Sequence, residues 1–327
     1  MLSDVLRAVR LTGALLFFVE ATSPFLAEAP ASELLAPIIL PGAQHIVSYH
    51  LLMEGTCYCE IAGQPPLHLS AGDVVVIPHG DRYALSSSPG MFGTYPQELV
   101  LEWFEQMAAR VLPDPFVIHE GGGEPEHRRI LCGFLGCDTL PFNPVLGPLP
   151  RLIHVRRSEP HAPDRLGHLI AFAAEEVRER RAGREGVLLR ISELMFIEVV
   201  RRYLAALPAQ ETGWLAALRD PVIGRALALL HQRPTEPWTV ERLAQTAGVS
   251  RSGLAERFAA LVGQPPMQYL TRWRLQLAAG LLATGRSKIS VVALDVGYDS
   301  EAAFSRAFKA LVGVSPAAWR QQTAPRA

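Results

Sequence analysis

The chain has 327 residues, of which 49% are hydrophobic and 19% are charged, and this length and composition exclude a single small module and a disordered chain. The formal net charge of -1 gives no argument that the chain as a whole binds a polyanion. The charge is unevenly distributed, because residues 219–327 carry 14 Lys and Arg against 7 Asp and Glu (net +7), whereas residues 1–218 carry 17 against 25 (net -8).

The N-terminal apolar run Gly13–Val19 has the hydrophobicity of a signal-peptide core. Because Glu20 ends it and the amphipathic residues 4–10 precede it, we expect no cleaved signal. No apolar stretch reaches the roughly 18 residues that span a bilayer. The 4 cysteines all lie in the first half of a chain too long to need a disulfide framework: Cys57, Cys59, Cys132 and Cys137. These features predict a cytoplasmic protein without a membrane partner.

The first 150 residues have the pattern of short strands separated by turns. Val47–Met53 and Thr56–Ile61 flank Glu54-Gly55, which predicts a hairpin. Val74–Ile77 and Ile130–Leu135 are typical of buried strands. Many short strands with this spacing favour a sandwich or a barrel.

Between these strands the pattern is less regular. Pro96–Val111 predicts one amphipathic helix. Gly121-Gly122-Gly123 predicts a flexible loop. We expect the latter half of residues 89–129 to form a surface insertion.

From Asp164 the apolar period becomes helical, and the breaker Ala182-Gly183 predicts two antiparallel helices. One apolar stripe contains Leu166, Leu169, Ile170, Ala173 and Val177, and the other contains Leu188, Ile191, Leu194, Met195 and Val199. Core packing against the strand domain and a dimer contact explain these stripes equally well, and both interpretations stay open. Pro208–Gly213 is the predicted linker to a last helical block that starts at Pro221.

The last block contains an internal repeat. Ala260–Gly263 recurs 50 positions later as Ala310–Gly313. The serines and turn glycines also match: Ser250 with Ser300 and, at an offset of 49, Gly248 with Gly297. A turn glycine followed by a serine that can cap the next helix predicts a helix-turn-helix unit in each copy.

The second helix of each unit has two predicted faces. Apolar residues at i, i+4 and i+7 are expected to face the core: Leu254, Phe258 and Leu261, then Phe304, Phe308 and Leu311. The opposite face contains most of the predicted DNA-binding residues: Arg251, Ser252, Ala255 and Glu256, then Glu301, Ala302, Ser305, Arg306 and Lys309. The predicted DNA-binding set also includes the adjacent Arg257 and the cap residue Ser300. Two such helices in a block of net charge +7 favour a major-groove reader over solvated helix faces.

Residues 221–321 resemble the AraC/XylS family of transcription regulators, chiefly at Ser250–Phe258, Gln268–Ala278 and Gly297–Pro316. The resemblance implies two helix-turn-helix units, joined by one long helix, that insert recognition helices into successive major grooves of double-stranded DNA. It also implies these base-facing positions: Ser252, Ala255 and Glu256 in the first unit, and Glu301, Ala302 and Arg306 in the second. The first unit departs from the family pattern, because Glu256 occupies a position where Arg or Lys is frequent and Arg257 follows it.

The segment Gly72–Tyr83 fits the second cupin motif, with Gly, five residues, Pro, one residue and Gly. Tyr83 replaces the metal-binding His of that motif, and Gln44 and Ser48 stand where the first motif would have a His and a Glu. Residues 1–150 therefore resemble the cupin-type sensor half of AraC-like regulators without the usual cupin metal centre. That departure disfavours a cupin enzyme.

Histidines and cysteines are frequent near the predicted barrel. His50, Cys57, His79 and Cys132 lie on or beside predicted strands. These four residues could bind one zinc ion, because thiolate and imidazole are zinc ligands, although no CxxC pair supports the site. Three interpretations stay open: inert core cysteines, a metal site and a thiol-redox sensor.

The predicted architecture is α+β in three parts: a cupin-like β-barrel that binds an effector (1–155), a helical connector with a dimerisation role (156–212) and an all-α domain with two helix-turn-helix units (213–327). We find no Gly-rich phosphate loop and no Ser-His-Asp order, and we expect no enzyme activity. We predict a homodimeric, DNA-binding transcription regulator that senses a small effector, a metal or an oxidant. The resemblance also implies RNA polymerase as a candidate partner. The alternative is a metal- or ligand-binding cupin protein whose helical tail binds another protein.

Overall fold

The computed structural model describes residues 11–109, 117–122, 126–137, 143, 146–157, 164–179, 181–207 and 213–323. The chain forms two compact units, one built on Leu11–Asp138 and Leu149–Ala206 and the other mainly on Leu207–Ala327. The first unit contains two sheets and the second is helical, so the predicted α+β class is confirmed.

The first unit contains ten described strands and four described helices. The strands are β1 (Leu11–Thr22), β2 (Leu26–Ala29), β3 (His45–Glu54), β4 (Thr56–Ile61), β5 (Leu67–Ser70), β6 (Val74–Ile77), β7 (Tyr83–Ser86), β8 (Val117–Glu120), β9 (His127–Cys137) and β10 (Ile153–Val155). The helices are α1 (Ser32–Ile39), α2 (Gln97–Ala108), α3 (Arg165–Arg178) and α4 (Arg184–Ala206). A six-stranded sheet has the order β10-β6-β3-β9-β1-β8, and a four-stranded sheet has the order β2-β7-β4-β5. Apolar side chains of both sheets, among them Phe17, Phe134, Ile61 and Leu85, form one shared core.

One expectation about the strand region is wrong. The hairpin predicted at Glu54-Gly55 does not form, because β3 pairs with β6 and β9 whereas β4 pairs with β5 and β7. The turn instead carries the chain from one sheet to the other, since both strands contribute to the core between the sheets, for example Leu52 and Cys57. The predicted surface insertion contributes β8, which pairs in parallel with β1, while Gly123 lies outside the described residues.

Other predicted elements of this region are confirmed. The apolar run at Gly13–Val19 lies in β1, which pairs antiparallel with β9 from Leu11↔Cys137 to Thr22↔His127. Its apolar side chains are core residues, since Phe17, Phe18 and Val19 are at most 4% exposed. The predicted amphipathic helix is α2, over Gln97–Ala108, with residues 110–116 outside the described part.

The connector contains the two predicted helices, α3 and α4, separated at Ala182-Gly183. Asp164 caps α3 and lies 2.7 Å from Nη2 of Arg202 near the end of α4, so the helices are antiparallel. Most residues of the two apolar stripes are buried within this unit, but Leu169 is half-buried and Leu194 is 50% exposed. The stripes therefore serve mainly as core packing, and a dimer contact stays a prediction.

The second unit is helical throughout its described part. Its helices are α5 (Trp214–Ala217), α6 (Ile223–Gln232), α7 (Val240–Ala247), α8 (Arg251–Val262), α9 (Pro266–Thr284), α10 (Ile289–Asp295), α11 (Glu301–Val312) and α12 (Pro316–Thr323). The predicted repeat is confirmed as two helix-turn-helix units, α7–α8 and α10–α11, on either side of α9. The helices found in the described ranges are all too short or too polar to cross a membrane.

Candidate functional site

The two helix-turn-helix units begin their second helices in the same way. Ser250 Oγ accepts a hydrogen bond from Gly253 N at 3.2 Å, and Ser300 Oγ accepts one from Ala303 N at 3.2 Å. Each serine thus satisfies an N–H group that has no partner within its helix. Phe258 and Phe308, on the buried faces of α8 and α11, are fully buried. The caps and the buried phenylalanines fix which face of each helix remains exposed.

The predicted DNA-binding residues occupy that remaining face. Ala255 and Ser305 are half-buried. The others are exposed: Arg251, Ser252, Glu256 and Arg257 on α8, the cap residue Ser300, and Glu301, Ala302, Arg306 and Lys309 on α11. Exposure makes these side chains available to a groove, and their contacts with bases stay a prediction.

The arginines of α8 are bound to their own domain. Arg257 donates from Nε to Asp220 Oδ2 at 2.9 Å, and Asp220 also accepts N–H bonds from Val222 and Ile223 at 2.9 Å. Partial burial alone would raise the pKa of Asp220, but the hydrogen bonds from Ile223, Arg257 and Val222 lower it below its usual value. Arg251 lies 2.5 Å from Glu241. Both arginines of this helix are therefore held by carboxylates.

The cations of α11 are different. Neither Arg306 nor Lys309 forms an ion pair or a side-chain hydrogen bond with any residue in the described ranges. Both are exposed. The second unit thus presents two uncompensated positive charges where the first unit presents neutralised ones. Sequence patterns could not reveal this difference, because Asp220 is distant from α8 along the chain.

Arg274 of α9 is a residue that sequence reasoning missed. Its guanidinium donates from Nε to Pro234 O at 2.6 Å, from Nη2 to Glu236 O at 2.9 Å and from Nη1 to Gly297 O at 3.0 Å. The first two carbonyls precede α7, and the third belongs to the turn of the second unit. Arg274 therefore links the segment that leads into the first unit with the turn of the second unit.

The interior of the strand domain contains a small polar cluster. Ser48 and His50 lie two positions apart on β3 and share a face, and His50 Nε2 is 2.6 Å from Tyr83 Oη. Ser48 also hydrogen-bonds Tyr83. Burial lowers the pKa of His50 to about 3 and raises that of Tyr83 well above its usual value. Both groups are therefore neutral at pH 7.

The predicted zinc site is not assembled. His79 Nε2 is 2.7 Å from the carbonyl of Leu149, and His50 Nε2 is bound to Tyr83. Across the ranges that the structure describes, no three His, Cys, Asp or Glu side chains are arranged to hold a metal ion. His50 and Cys132 are register partners on β3 and β9, but the Nε2 atoms of His50 and His79 are already bonded to Tyr83 and to the Leu149 carbonyl.

The four cysteines are buried. Burial raises the pKa of Cys57 to about 12 and that of Cys132 well above its usual value. Cys57 and Cys59 share the core face of β4, each 1% exposed. Thiolate chemistry requires access and a lowered pKa, so this geometry favours the interpretation as inert core cysteines.

Comparisons with known proteins cover both units. A family model described as Cupin matches residues 1–205, and one described as Helix-turn-helix domain matches residues 243–322. The chain is 36% identical to a putative AraC-like transcription regulator of Streptomyces lividans, over 85% of this chain and 88% of that protein. It is 32% identical to the HTH-type transcriptional regulator AlkR of Acinetobacter baylyi, over 86% of this chain and 90% of that protein. The chain also aligns with the solved structure of a transcriptional regulator with an AraC-type DNA-binding domain from Chromobacterium violaceum. The identity is 27% and the TM-score is 0.32, and the alignment covers 34% of this chain and 99% of that one.

Proposed function

Because the chain belongs to the AraC-like transcription regulators with a cupin N-terminal domain, we propose that its two helix-turn-helix units bind two neighbouring segments of one DNA site. Family membership makes the protein a DNA-binding transcription regulator, and the alternative of a cupin protein with a protein-binding tail is set aside. The observation that carries the proposal is the pair of capped units, with Arg274 joining the segment before the first unit to the turn of the second. Two recognition helices held in fixed relation suit two successive major grooves.

The second unit supplies the stronger base contacts. Arg306 is exposed and uncompensated, and an arginine can donate two hydrogen bonds to the O6 and N7 atoms of guanine. Lys309 is available to a phosphate. Arg251 and Arg257 are neutralised by Glu241 and Asp220, so the first unit depends on its small and polar positions, Ser252 and Ala255, for base contacts. Those residue types contact base edges and thymine methyl groups.

The regulatory part precedes these units. We infer an effector domain at 1–155, a connector at 156–212 that carries the dimer contact, and a DNA-binding domain at 213–327. We infer that the effector is a small organic molecule, since the cysteines are buried with raised pKa values and, among the described residues, no three donors are arranged to hold a metal ion. Because its partner is DNA, we infer that the protein acts in the cytoplasm, where RNA polymerase is a further partner.

Footprinting of the full-length protein on DNA upstream of its own and neighbouring genes tests the proposal. We expect two protected segments about one helical turn, 34 Å, apart on one face of the duplex. Occupancy should fall as salt rises, because phosphate contacts release counterions. A single short protected segment would contradict the two-unit proposal.

Variants of the same protein separate base contacts from other roles. Arg306→Ala should cost about 1 to 3 kcal/mol of binding free energy and relax the base preference in one segment only. Lys309→Ala should weaken binding uniformly across sequences, as loss of a phosphate contact does. Arg257→Ala should cost less binding free energy than Arg306→Ala, because the carboxylate of Asp220 already holds that arginine. A uniform loss from Arg306→Ala would make Arg306 a phosphate contact instead.

A further inference from the structure

A cavity of about 300 Å³ lies between the six-stranded sheet and α3, within the first unit. It is separate from the polar cluster around His50. Neighbouring residues of a strand point to opposite faces, so Leu51, which lines the cavity, projects away from the side where His50 contacts Tyr83. Val74 of β6 likewise lines the cavity, while its neighbour Val75 belongs to the core between the sheets. The volume is at the lower end of small-molecule sites.

The inner wall of the cavity is apolar. It is formed by side chains that are between 2% and 7% exposed: Leu51, Val74, Val155, Leu166 and Ile170. These residues come from β3, β6, β10 and α3, so the wall joins sheet and helix. A hydrocarbon group that contacts this wall would lose its exposure to water, which is favourable.

The rim of the cavity is cationic. Three arginines and one aspartate contribute to the lining: Arg156, Arg157, Arg202 and Asp164. Asp164 Oδ1 is 2.7 Å from Arg202 Nη2, so this pair is compensated. Arg156 and Arg157 are exposed and form no ion pair with any residue in the described ranges. Among the described lining residues, the positive charges thus exceed the negative ones by two.

The second residue of this arginine pair is held by the turn that precedes β6. The backbone N–H of Arg157 donates to Asp73 Oδ1 at 3.1 Å. The stem of Arg157 passes over Gly72, where an added Cβ would lie 2.7 Å from Arg157 Cδ. The Arg157 stem is therefore packed against the cavity rim rather than extended into solvent.

We propose that this cavity binds a small organic acid, with its carboxylate at Arg156 and Arg157 and its hydrocarbon part against the apolar wall. At ~30 Å³ per water-sized group, the cavity suits an acid of about ten non-hydrogen atoms. The inference deepens the effector role in the proposed function, since such a ligand would bridge the sheet and α3. The guanidinium groups of Arg156 and Arg157 suit an organic acid, because guanidinium groups bind carboxylates through paired hydrogen bonds.

Calorimetric titration of the full-length protein without DNA tests the proposal. The probes are hexanoate, hexan-1-ol, which lacks the charge, and acetate, which lacks the chain. We expect saturable binding of one hexanoate per chain, with the other two probes at least about tenfold weaker, because each lacks one of the two interactions. No hexanoate binding up to about 10 mM, or equal binding of hexan-1-ol, would overturn the proposal.

Two variants and a control locate the site. Arg156→Gln should weaken hexanoate binding about tenfold and leave hexan-1-ol binding unchanged. Ala171→Phe, at an exposed position that lines the cavity, should abolish binding of both by filling the space while keeping the charges. Arg181→Gln removes an arginine that is 61% exposed and paired with Glu179, and it should change nothing. Hexanoate binding that survives Ala171→Phe would place the ligand elsewhere and overturn the assignment.

The two tests fail independently. Calorimetry contains no DNA, so a negative titration leaves the footprint of the two helix-turn-helix units unaffected. A missing footprint, in turn, leaves the measured affinity for hexanoate intact.

Discussion

At the scale of single residues, His50 makes the stability of the strand domain depend on pH. Its imidazole is buried, bonds Tyr83 through Nε2, and has no partner for Nδ1 within the described part of the chain. Burial lowers its pKa to about 3, whereas the unfolded chain has a value near 6.5. Between these two values the unfolded state binds more protons than the folded state, so stability falls as pH falls below about 6.5.

The difference between the folded and unfolded pKa of His50 predicts a pH dependence of the free energy of unfolding. Between pH 7 and pH 5, His50 should lower the free energy of unfolding by about 2 kcal/mol. Urea denaturation at both pH values, compared between the wild-type protein and His50→Gln, isolates that contribution, because the other histidines are common to both. Equal pH dependence in the two proteins would show that His50 is not a buried neutral group.

Some residue roles were accessible from the sequence and others were not. The caps Ser250 and Ser300 were predictable because an N-cap acts within three residues of its own position. The ion pair of Arg257 with Asp220 and the three carbonyl contacts of Arg274 join residues 23 to 40 positions apart. Such contacts depend on how helices pack, which local patterns do not encode.

At the scale of elements, the two turns of the helix-turn-helix units differ in how strictly they require glycine. Gly248 and Gly297 have φ values of 78° and 85°, where an L side chain is strained. A Cβ on Gly248 would have no atom within 4 Å. A Cβ on Gly297 would lie 2.9 Å from the Cα of Thr235 and 3.0 Å from Cζ of Arg274. The second turn is therefore constrained by both conformation and packing.

Alanine at these two positions forms a matched pair. Gly248→Ala should cost about 1 to 2 kcal/mol of unfolding free energy from the left-handed conformation alone. Gly297→Ala should cost about 1 to 3 kcal/mol more, because the backbone at Thr235 must also move. The substitution should also disturb the Gly297 carbonyl that Arg274 binds. Chemical denaturation measures the costs, and footprinting should show loss of one segment for Gly297→Ala. Equal costs would mean that the second turn relaxes freely.

Element prediction succeeded where the periodicity was long and the partners were local. The helices α3, α4, α8 and α11 carry clear apolar faces and breakers, and the strands β6 and β9 carry apolar runs. The short helix α1 was missed because Pro37 lies inside it and its pattern spans only eight residues. The pairing of β3 and β4 with different sheets was not predictable from the Glu54-Gly55 turn, since the core between the sheets decides it.

At the scale of the whole molecule, α4 is suited to join two copies of the chain. Most of its apolar residues face its own unit, but Leu194 is 50% exposed and Val187, Ile197 and Leu204 are half-buried. These four residues occupy four of the six seam positions of a heptad pattern, and Arg190 and Arg201 occupy the other two. On the neighbouring helix α3, Phe172 is 46% exposed. A symmetric dimer would cover this line and bring two DNA-binding domains to one operator.

The dimer is tested by sedimentation of the full-length protein at tens of micromolar, where we expect twice the mass of one chain. Each buried leucine contributes about 2 kcal/mol, and symmetry doubles the effect, so Leu194→Asp should raise the dissociation constant by about a thousandfold. Leu294→Asp is the matched control, because Leu294 is 63% exposed on α10, outside the connector. A wild-type monomer, or equal dissociation by both variants, would mean that the exposed line on α4 is not the dimer contact. In footprinting, the wild-type dimer should protect both halves of a symmetric operator. If the Leu194→Asp variant protects only one half, assembly through α4 determines how the operator is occupied.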